Sequence, residues 1–496
     1  MKFRFTLFVS AALLWTVSVP ALTVINASDS GAGSLRQAVI DAAPGTTITF
    51  DNTLSGQTIV LTTGQILVDK NLDIDASAVG GMTIDGNGGI TSNRVFEIAV
   101  NTTNVFTSLT LSNGFVAGAS FPDDRGGGIF INTGADLTLN NVTVSGNTAT
   151  NVGGGIFIHF NGVLTLNHST VSGNVAPVFG GGICNVNGTA KLNNSTVAGN
   201  SANGGGGIFN SSGTLTLINS TLSDNSAGSS GSGGIYNVGT LVMTNSIVAG
   251  NTASSSPNIS GAFSGSNNLT NGMPLLEPLG DYGGLTQTMP PQFGSPAIDT
   301  GLTSATNSLI DQRGFPRVDN GTVDIGAVEY FHNYTQVVTT TNDSGPGSLR
   351  QTIHDISGGG TISFTNTLNG ATITLGGVQL LIDKDIIIDA TALTNGITIS
   401  GNNTSRILEV TATANVELRH VTIANGRSPN GSNVVAGEDG GAGGAIFNSG
   451  TLTLSACTLS ANTTGAGGFG GAYGTGGAGG AGGAIFNSGT LTLSAC

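Results

Sequence analysis

The sequence predicts an all-β chain wound as a right-handed parallel β-helix, and three observations carry that prediction. A Gly-Gly-Ile step recurs with Ile129, Ile156, Ile183, Ile208 and Ile235, at spacings of 27, 27, 25 and 27 residues. A second marker keeps pace with it: Val144-Ser145-Gly146-Asn147, Val171 to Asn174, Val197 to Asn200, Leu222 to Asn225 and Val248 to Asn251. Within each period lie three short apolar runs bounded by Gly, Asn or Asp, as in Gly128-Ile129-Phe130-Ile131, Leu137-Thr138-Leu139 and Val142-Thr143-Val144. Three strands per turn of about 26 residues stack rung on rung at about 4.8 Å, so like side chains form columns through the core. Propeller blades need about 40 residues and four strands, and leucine-rich repeats need their own leucine pattern. Collagen needs glycine at every third position. None of these fits.

Composition agrees. Glycine supplies 80 of 496 residues and charged residues only 8%, against roughly 25% in ordinary soluble domains. The net charge of -14 repels nucleic acid and anionic membrane surfaces. Cys184, Cys457 and Cys496 are odd in number and lack any CxxC or Cys/His cluster, so neither a disulfide framework nor a zinc site is indicated.

Taken in order, residues 1–21 read as a signal peptide: Lys2 and Arg4, an apolar run from Phe5 to Val19, then Val19-Pro20-Ala21. No later segment is apolar enough to span a membrane. The first β-helix unit covers 22–271. It opens with helical spacing at Leu35, Ala38, Val39 and Ala42, preceded by Ser34 with Gln37 three residues on, a capping-box arrangement. A helix here would cover the open end of the solenoid, whose strand edges would otherwise recruit other chains, with Asp29 and Arg36 as an ion pair at the cap. The Asn column at 147, 174, 200, 225 and 251 is expected to be structural, each amide bonding the next. Residues 272–335 break the rung pattern and collect prolines at 274, 278, 290, 291, 296 and 316; they are expected to close the first unit and end in a linker at 331–336.

The second unit, 336–496, repeats the first. Asp29-Ser30-Gly31-Ala32-Gly33-Ser34-Leu35-Arg36-Gln37 returns as Asp343-Ser344-Gly345-Pro346-Gly347-Ser348-Leu349-Arg350-Gln351, an offset of 314. Cys457 occupies the slot of Val142, Ser169, Ser195, Ser220 and Ser246, a small core position. Residues 443–457 recur unchanged at 482–496, and the period lengthens to 39 through a Gly-rich insert, 465–481, expected to be a long flexible loop. The repeat halts within a rung, so the expectation is an incomplete unit belonging to a longer protein.

Ser295-Pro296-Ala297-Ile298-Asp299, Asp311-Gln312-Arg313-Gly314-Phe315-Pro316-Arg317 and Asp324-Ile325-Gly326-Ala327-Val328-Glu329 together resemble the choice-of-anchor Q region of bacterial surface proteins. The Asp-Ser-Gly-x-Gly-Ser-Leu-Arg opening is similar to the N-terminal segment of that group, and the Gly-Gly-Ile and Gly-Asn markers resemble repeats of polymorphic outer membrane proteins. The closing signature covers about 60 residues. The resemblance implies a pectin-lyase-like solenoid that is secreted or held at the cell surface, outer-membrane association included, with a structural or adhesive role. Its partners would then be glycans or other surface proteins. In that family an anchoring tail follows the signature, whereas here the signature is internal.

Many parallel β-helices are polysaccharide lyases or glycoside hydrolases acting on acidic glycans, which makes an enzyme the main rival. Such chemistry needs clustered carboxylates with a nearby Lys, Arg or His. The catalytic candidates are Asp123, Asp124 and Arg125, before the strand at Ile129. The Gly-His-Gly and Arg-x-Lys patterns of polygalacturonases do not occur, and His159, His168, His332, His354 and His420 stand apart from acid clusters. Beyond the signal peptide there is no tryptophan for a sugar ring to stack on. Asp73, Asp75 and Asp85 are the calcium candidates, in adjacent rungs by the period, although the Gly-Gly-x-Gly-x-Asp calcium-roll motif is missing. An autotransporter passenger would need a membrane β-barrel after the helix, and this chain carries none. No cofactor is expected, and the balance favours a non-catalytic surface protein.

Overall fold

The alternating runs become strands, and strands of successive turns pair in parallel. The structure is a computed structural model and describes residues 21–496 except 91, 119, 230, 293, 307, 320, 331–334, 357, 434–437 and 471–474. The signal peptide read in 1–21 therefore lies, but for Ala21, outside the described residues, as does most of the linker.

The chain is a right-handed parallel β-helix. In the first unit, three sheets run its length: an eight-stranded first sheet that includes Ile129–Ile131, a ten-stranded second sheet that includes Asp136–Asn140, and an eight-stranded third sheet that includes Thr143–Ser145. The second unit repeats the plan with sheets of four, six and four strands. Register aligns Ile129, Ile156, Ile183, Ile208 and Ile235 in one column, and all five are fully buried. Each such side chain contributes roughly 1.5–3 kcal/mol of transfer free energy, and no rung can collect it without its neighbours.

The corners explain the punctuation. Between the second and third sheets the chain turns through one left-handed residue, Asn141, Asn194, Asn219 or Asn245, with φ of 53°, 44°, 47° and 49°. His168 and His420 hold the same corner at 51° and 56°, a conformation that Asn and His tolerate better than most residues. Two of the isolated histidines are thus corner residues. At the entry to the first sheet, Gly126 has φ of +63°, and a Cβ on Gly127 would lie 2.3 Å from the Thr148 carbonyl oxygen. Only glycine fits the second position.

The Asn column is a buried ladder: the Nδ2 of Asn147, Asn174, Asn200 and Asn225 donates to the Oδ1 one rung on at 3.0, 2.9, 2.9 and 2.9 Å. A second ladder runs through Asn185, Asn210 and Asn237 at 2.8 and 2.7 Å, each two residues after a marker isoleucine, Ile183, Ile208 or Ile235. The slot of Ser169 behaves as expected: Ser169 Oγ donates to the Leu139 carbonyl at 3.1 Å, and Cys457 Sγ makes the matching contact to Leu418 at 3.3 Å.

Each unit begins with a capped helix, Leu35–Asp41 and Leu349–Asp355, whose N-cap serines accept from the Gln37 and Gln351 amides. Arg36 binds Asp29 at 2.6 Å and donates to the Gln65 and Gly64 carbonyls; Arg350 does the same with Asp343, Gln379 and Val378. Burial by itself would raise the Asp29 carboxyl. Hydrogen bonds from Thr63, Arg36 and Thr62 outweigh it and hold the group at about 2.

Two expectations need correction. Residues 272–330 do not close the end of the first unit but fold back along its flank, over the outer face of the third sheet. Gln312 Nε2 donates to Thr170 Oγ1 at 2.9 Å, Thr196 Oγ1 donates to Gln312 Oε1 at 2.6 Å, and the Ala327 amide donates to Thr221 Oγ1 at 3.0 Å. Thr170–Ser172, Thr196–Ala198 and Thr221–Ser223 are therefore buried on both faces, whereas Thr143–Ser145 buries only its middle residue. The unit ends instead on a thin polar rung, Ile259–Ser260 and Ser264–Ser266.

The described residues of the Gly-rich insert, 465–470 and 475–481, likewise form no free loop. The amides of Ala466, Phe469 and Ala478 are held by Asn430, Asn433 and Asp439 at 3.0, 2.7 and 2.7 Å. Gly440 and Gly431 donate to the Ala478 and Ala466 carbonyls. Glycine lets these backbones approach closely, and the described residues of the insert pack against 430–433 and 438–441.

Candidate functional site

Register also fixes what faces outward. On the first sheet, Glu97, Phe130, Phe157, Cys184, Phe209 and Tyr236 stand in one external column. Phe130 stacks on Phe157 at 5.2 Å and Phe209 meets Tyr236 at 5.4 Å. The loop before Ile129 leaves the rung and covers the near end of this column, with Phe121 set edge-on to Phe130 at 5.8 Å.

Arg94 pins that loop. Its Nε donates to the Gly126 carbonyl at 2.9 Å, and its Nη2 to the carbonyls of Pro122 and Arg125 at 2.9 and 2.8 Å. Its Nη1 reaches Gln65 Oε1 at 2.6 Å and Glu97 Oε2 at 3.5 Å. Gln65 in turn donates to Glu97, and Asn132 Nδ2 donates to Glu97 Oε1 at 2.9 Å. The guanidinium lies over the Phe130 ring at 4.9 Å and is nearly inaccessible. All five N–H donors of an arginine are thereby committed.

The catalytic candidates divide. Asp124 is buried, with Oδ1 accepting from Arg125 Nε at 3.0 Å and Oδ2 from Asn151 Nδ2 at 2.6 Å. Arg125 lies over the rings of Phe121 and Phe157 at 5.1 and 5.4 Å. Asp123 is exposed and borders a cavity of about 520 Å³ lined also by Gln65, Ser92, Asn93 and Arg94. One carboxylate of the pair thus faces free space, and the other is consumed by the loop. His159 sits between Phe121 and Phe160 with Nδ1 2.9 Å from Thr133 Oγ1; burial and then Arg125 push its pKa below the usual value. Of the other histidines, His354 pairs with Asp355 at 2.8 Å, and His332 lies outside the described residues.

The calcium candidates are not brought together. Asp73 and Asp75 lie on Leu72–Asp75 of the second sheet, while Asp85 ends Met82–Asp85 of the third. Asp75 accepts from the Ser77 amide at 2.8 Å, and Asp85 accepts from the Asn87 amide and Asn113 Nδ2 at 2.7 and 2.9 Å. Each holds a turn. No group of three His, Cys, Asp or Glu side chains that could hold a metal ion occurs among the described residues.

Neither the Gln65–Arg94–Glu97 cluster nor its second copy is among the sites expected from the sequence. Arg406 Nη1 donates to Gln379 Oε1 at 2.8 Å and reaches Glu409 at 3.6 Å, its Nε and Nη2 bind the Gly443 and Ala442 carbonyls at 3.0 and 2.7 Å, and it lies over Phe447 at 5.1 Å. The signal was present in Arg94-Val95-Phe96-Glu97 and Arg406-Ile407-Leu408-Glu409. Its offset of 312 residues hides it from a search at 314.

Compared with known proteins, the chain matches no family model and no curated protein. Among solved structures it is similar to the PL6 family alginate lyase AlyGC, at 11% identity and a TM-score of 0.22 over 89% of this chain and 75% of that one. A point mutant of the same lyase gives 11%, 0.21, 88% and 75%. No helix among the described residues is long and apolar enough to cross a membrane.

Proposed function

We propose that this chain is an exported β-helix of the cell surface or the secreted space, a structural or adhesive scaffold with no catalytic role. The observation that carries this reading is the state of the polar groups on the first-sheet flank. Arg94 and Arg406 spend their donors on loop carbonyls and on a Gln and a Glu of their own unit, and Asp124 is bound on both oxygens. A catalytic guanidinium or general acid has to meet substrate, whereas groups bound in this way hold loops. The resemblance of 295–329 to the choice-of-anchor Q region of bacterial surface proteins supports the location, and the partners would be glycans or proteins of neighbouring surfaces.

The test is to incubate the purified protein with polygalacturonate and alginate and follow unsaturated and reducing ends, beside a glycan-array and cell-binding screen. No product release is expected. Product release that Asp123→Ala abolishes would overturn the proposal and make the flank an active site.

A further inference from the structure

One column of the helix departs from its own rule. The left-handed residue before each ladder Asn is Gly146, Gly173, Gly199 and Gly250, with φ between +63° and +76°, but in the fourth rung it is Asp224, at +58°. A residue with a Cβ costs about 1 kcal/mol more than glycine in that conformation. Asp224 is exposed and borders a cavity of about 400 Å³ lined also by Met273, Pro274, Leu275, Glu277 and Met289, residues of the segment that folds back along the flank. Neither Asp224 nor Glu277 has a side-chain hydrogen bond or ion pair among the described residues. Met273 is 78% exposed and Leu275 38%, and Leu275 is itself held at φ of +48°, strained for a branched side chain. Partial loss of solvent raises the Asp224 carboxyl above its usual value.

We propose that this cleft binds an organic cation, a protonated amine carried on an apolar chain, with the ammonium between Asp224 and Glu277 and the chain against Met273, Leu275 and Met289. The chemistry is that of the lining. Two unpartnered carboxylates attract a cation and repel an anion, and the thioether and proline surfaces accept methylene groups without asking for hydrogen bonds. The volume lies in the range of small-molecule sites. A free alkylamine and the lysine side chain of a partner protein share this chemistry. The inference stands apart from the proposed scaffold role, since amine binding neither requires nor excludes catalysis.

The experiment titrates the full chain with hexylammonium, hexan-1-ol, hexanoate and N-acetyl-lysine methylamide, read by saturation-transfer NMR and calorimetry, against Asp224→Gly and Glu277→Gln. Asp224→Gly restores the residue of the other rungs, so it keeps the fold, which its thermal unfolding verifies. Hexylammonium is expected to bind the wild type at least about tenfold more tightly than hexanol, with hexanoate weaker still, and each variant is expected to lose about that factor. Binding of the lysine derivative as tight as that of hexylammonium points to a partner's side chain, and much weaker binding points to a free amine. Equal binding of hexanol and hexylammonium, unchanged binding by folded Asp224→Gly, or no binding of either amine overturns the proposal.

Discussion

Gln312 and Thr196 are 116 residues apart in the chain and share a 2.6 Å hydrogen bond. Through the same amide Gln312 also reaches Thr170 and Thr286, so one side chain ties the proline-rich segment to two rungs and to itself. Truncating it leaves several buried polar groups unpaired, at about 1–3 kcal/mol each. Gln312→Ala is therefore expected to release 272–330 from the flank while the rungs stay folded. Limited proteolysis checks this: early cleavage confined to that segment is the expected pattern, and a wild-type pattern would show that the docking does not depend on Gln312.

The difference between what the sequence revealed here and what it hid is physical. Columns such as Ile129 to Ile235 repeat because each rung solves the same packing problem, and repetition is visible in one dimension. The same holds for the Asn ladder from Asn147 to Asn251 and for the Ser34 and Ser348 caps. The flank position of 272–330 was not legible, because Gln312 has no periodic partner and its contacts join a unique segment to a repeated one. The Arg94 and Arg406 clusters were hidden for a related reason: the turn before each arginine differs in length between the units, so the offset of 314 that joins Asp75 to Asp389 becomes 312 at Arg94 and Arg406. Asp75, Asp85 and Asp124 carry the residue type of a site, yet their oxygens are used by local turns and loops, and composition does not report that.

In the middle of the ladder, Asn200 both accepts from and donates to its neighbours and also donates to the Val171 carbonyl at 2.9 Å. Asn258, at the end, is only partly buried and receives the Asn251 amide at 3.3 Å. Asn200→Ala is expected to destabilise the helix by about 2–4 kcal/mol, since it leaves a column of buried amides broken on both sides. Asn258→Ala should cost less than half as much. Denaturant midpoints of the two variants measure the ratio, and equal costs would count against the ladder as a cooperative element.

The cap gives a pH dependence with a defined sign. The folded Asp29 carboxyl sits at about 2 and the unfolded one near the ordinary value of about 3.9. A carboxyl depressed in the folded state adds stability above its unfolded value and loses it as the pH falls through the folded one. The contribution, about 2 kcal/mol for a depression of this size, should be complete above about pH 4 and fade between about pH 4 and pH 2. Asp29→Asn is expected to be less stable near neutrality and to lack the component that wild type loses in that window. Parallel stability curves for the two proteins from about pH 5 to pH 2 would rule out this role.

Arg94 and Arg406 make the same prediction twice, in two different loops. Each holds its insertion with a planar fork that reaches three or two carbonyls at once, and a lysine ammonium has neither the span nor the five donors to replace it. Arg94→Lys also leaves Gln65 and Glu97 with a poorer partner in a buried setting, a loss of about 2–3 kcal/mol. The loosened part should be the loop at 117–125, read as faster amide hydrogen exchange there and at Gly126, with the rungs beyond Ile156 unchanged. Arg406→Lys should transfer the effect to residues around Ala442 and Gly443 and leave 117–125 as in wild type. Because the two clamps are built alike and cover unlike loops, exchange that rises in the substituted unit alone identifies a local clamp. A rise in both units from either substitution would mean that the arginines stabilise the helix as a whole and that the loops only follow.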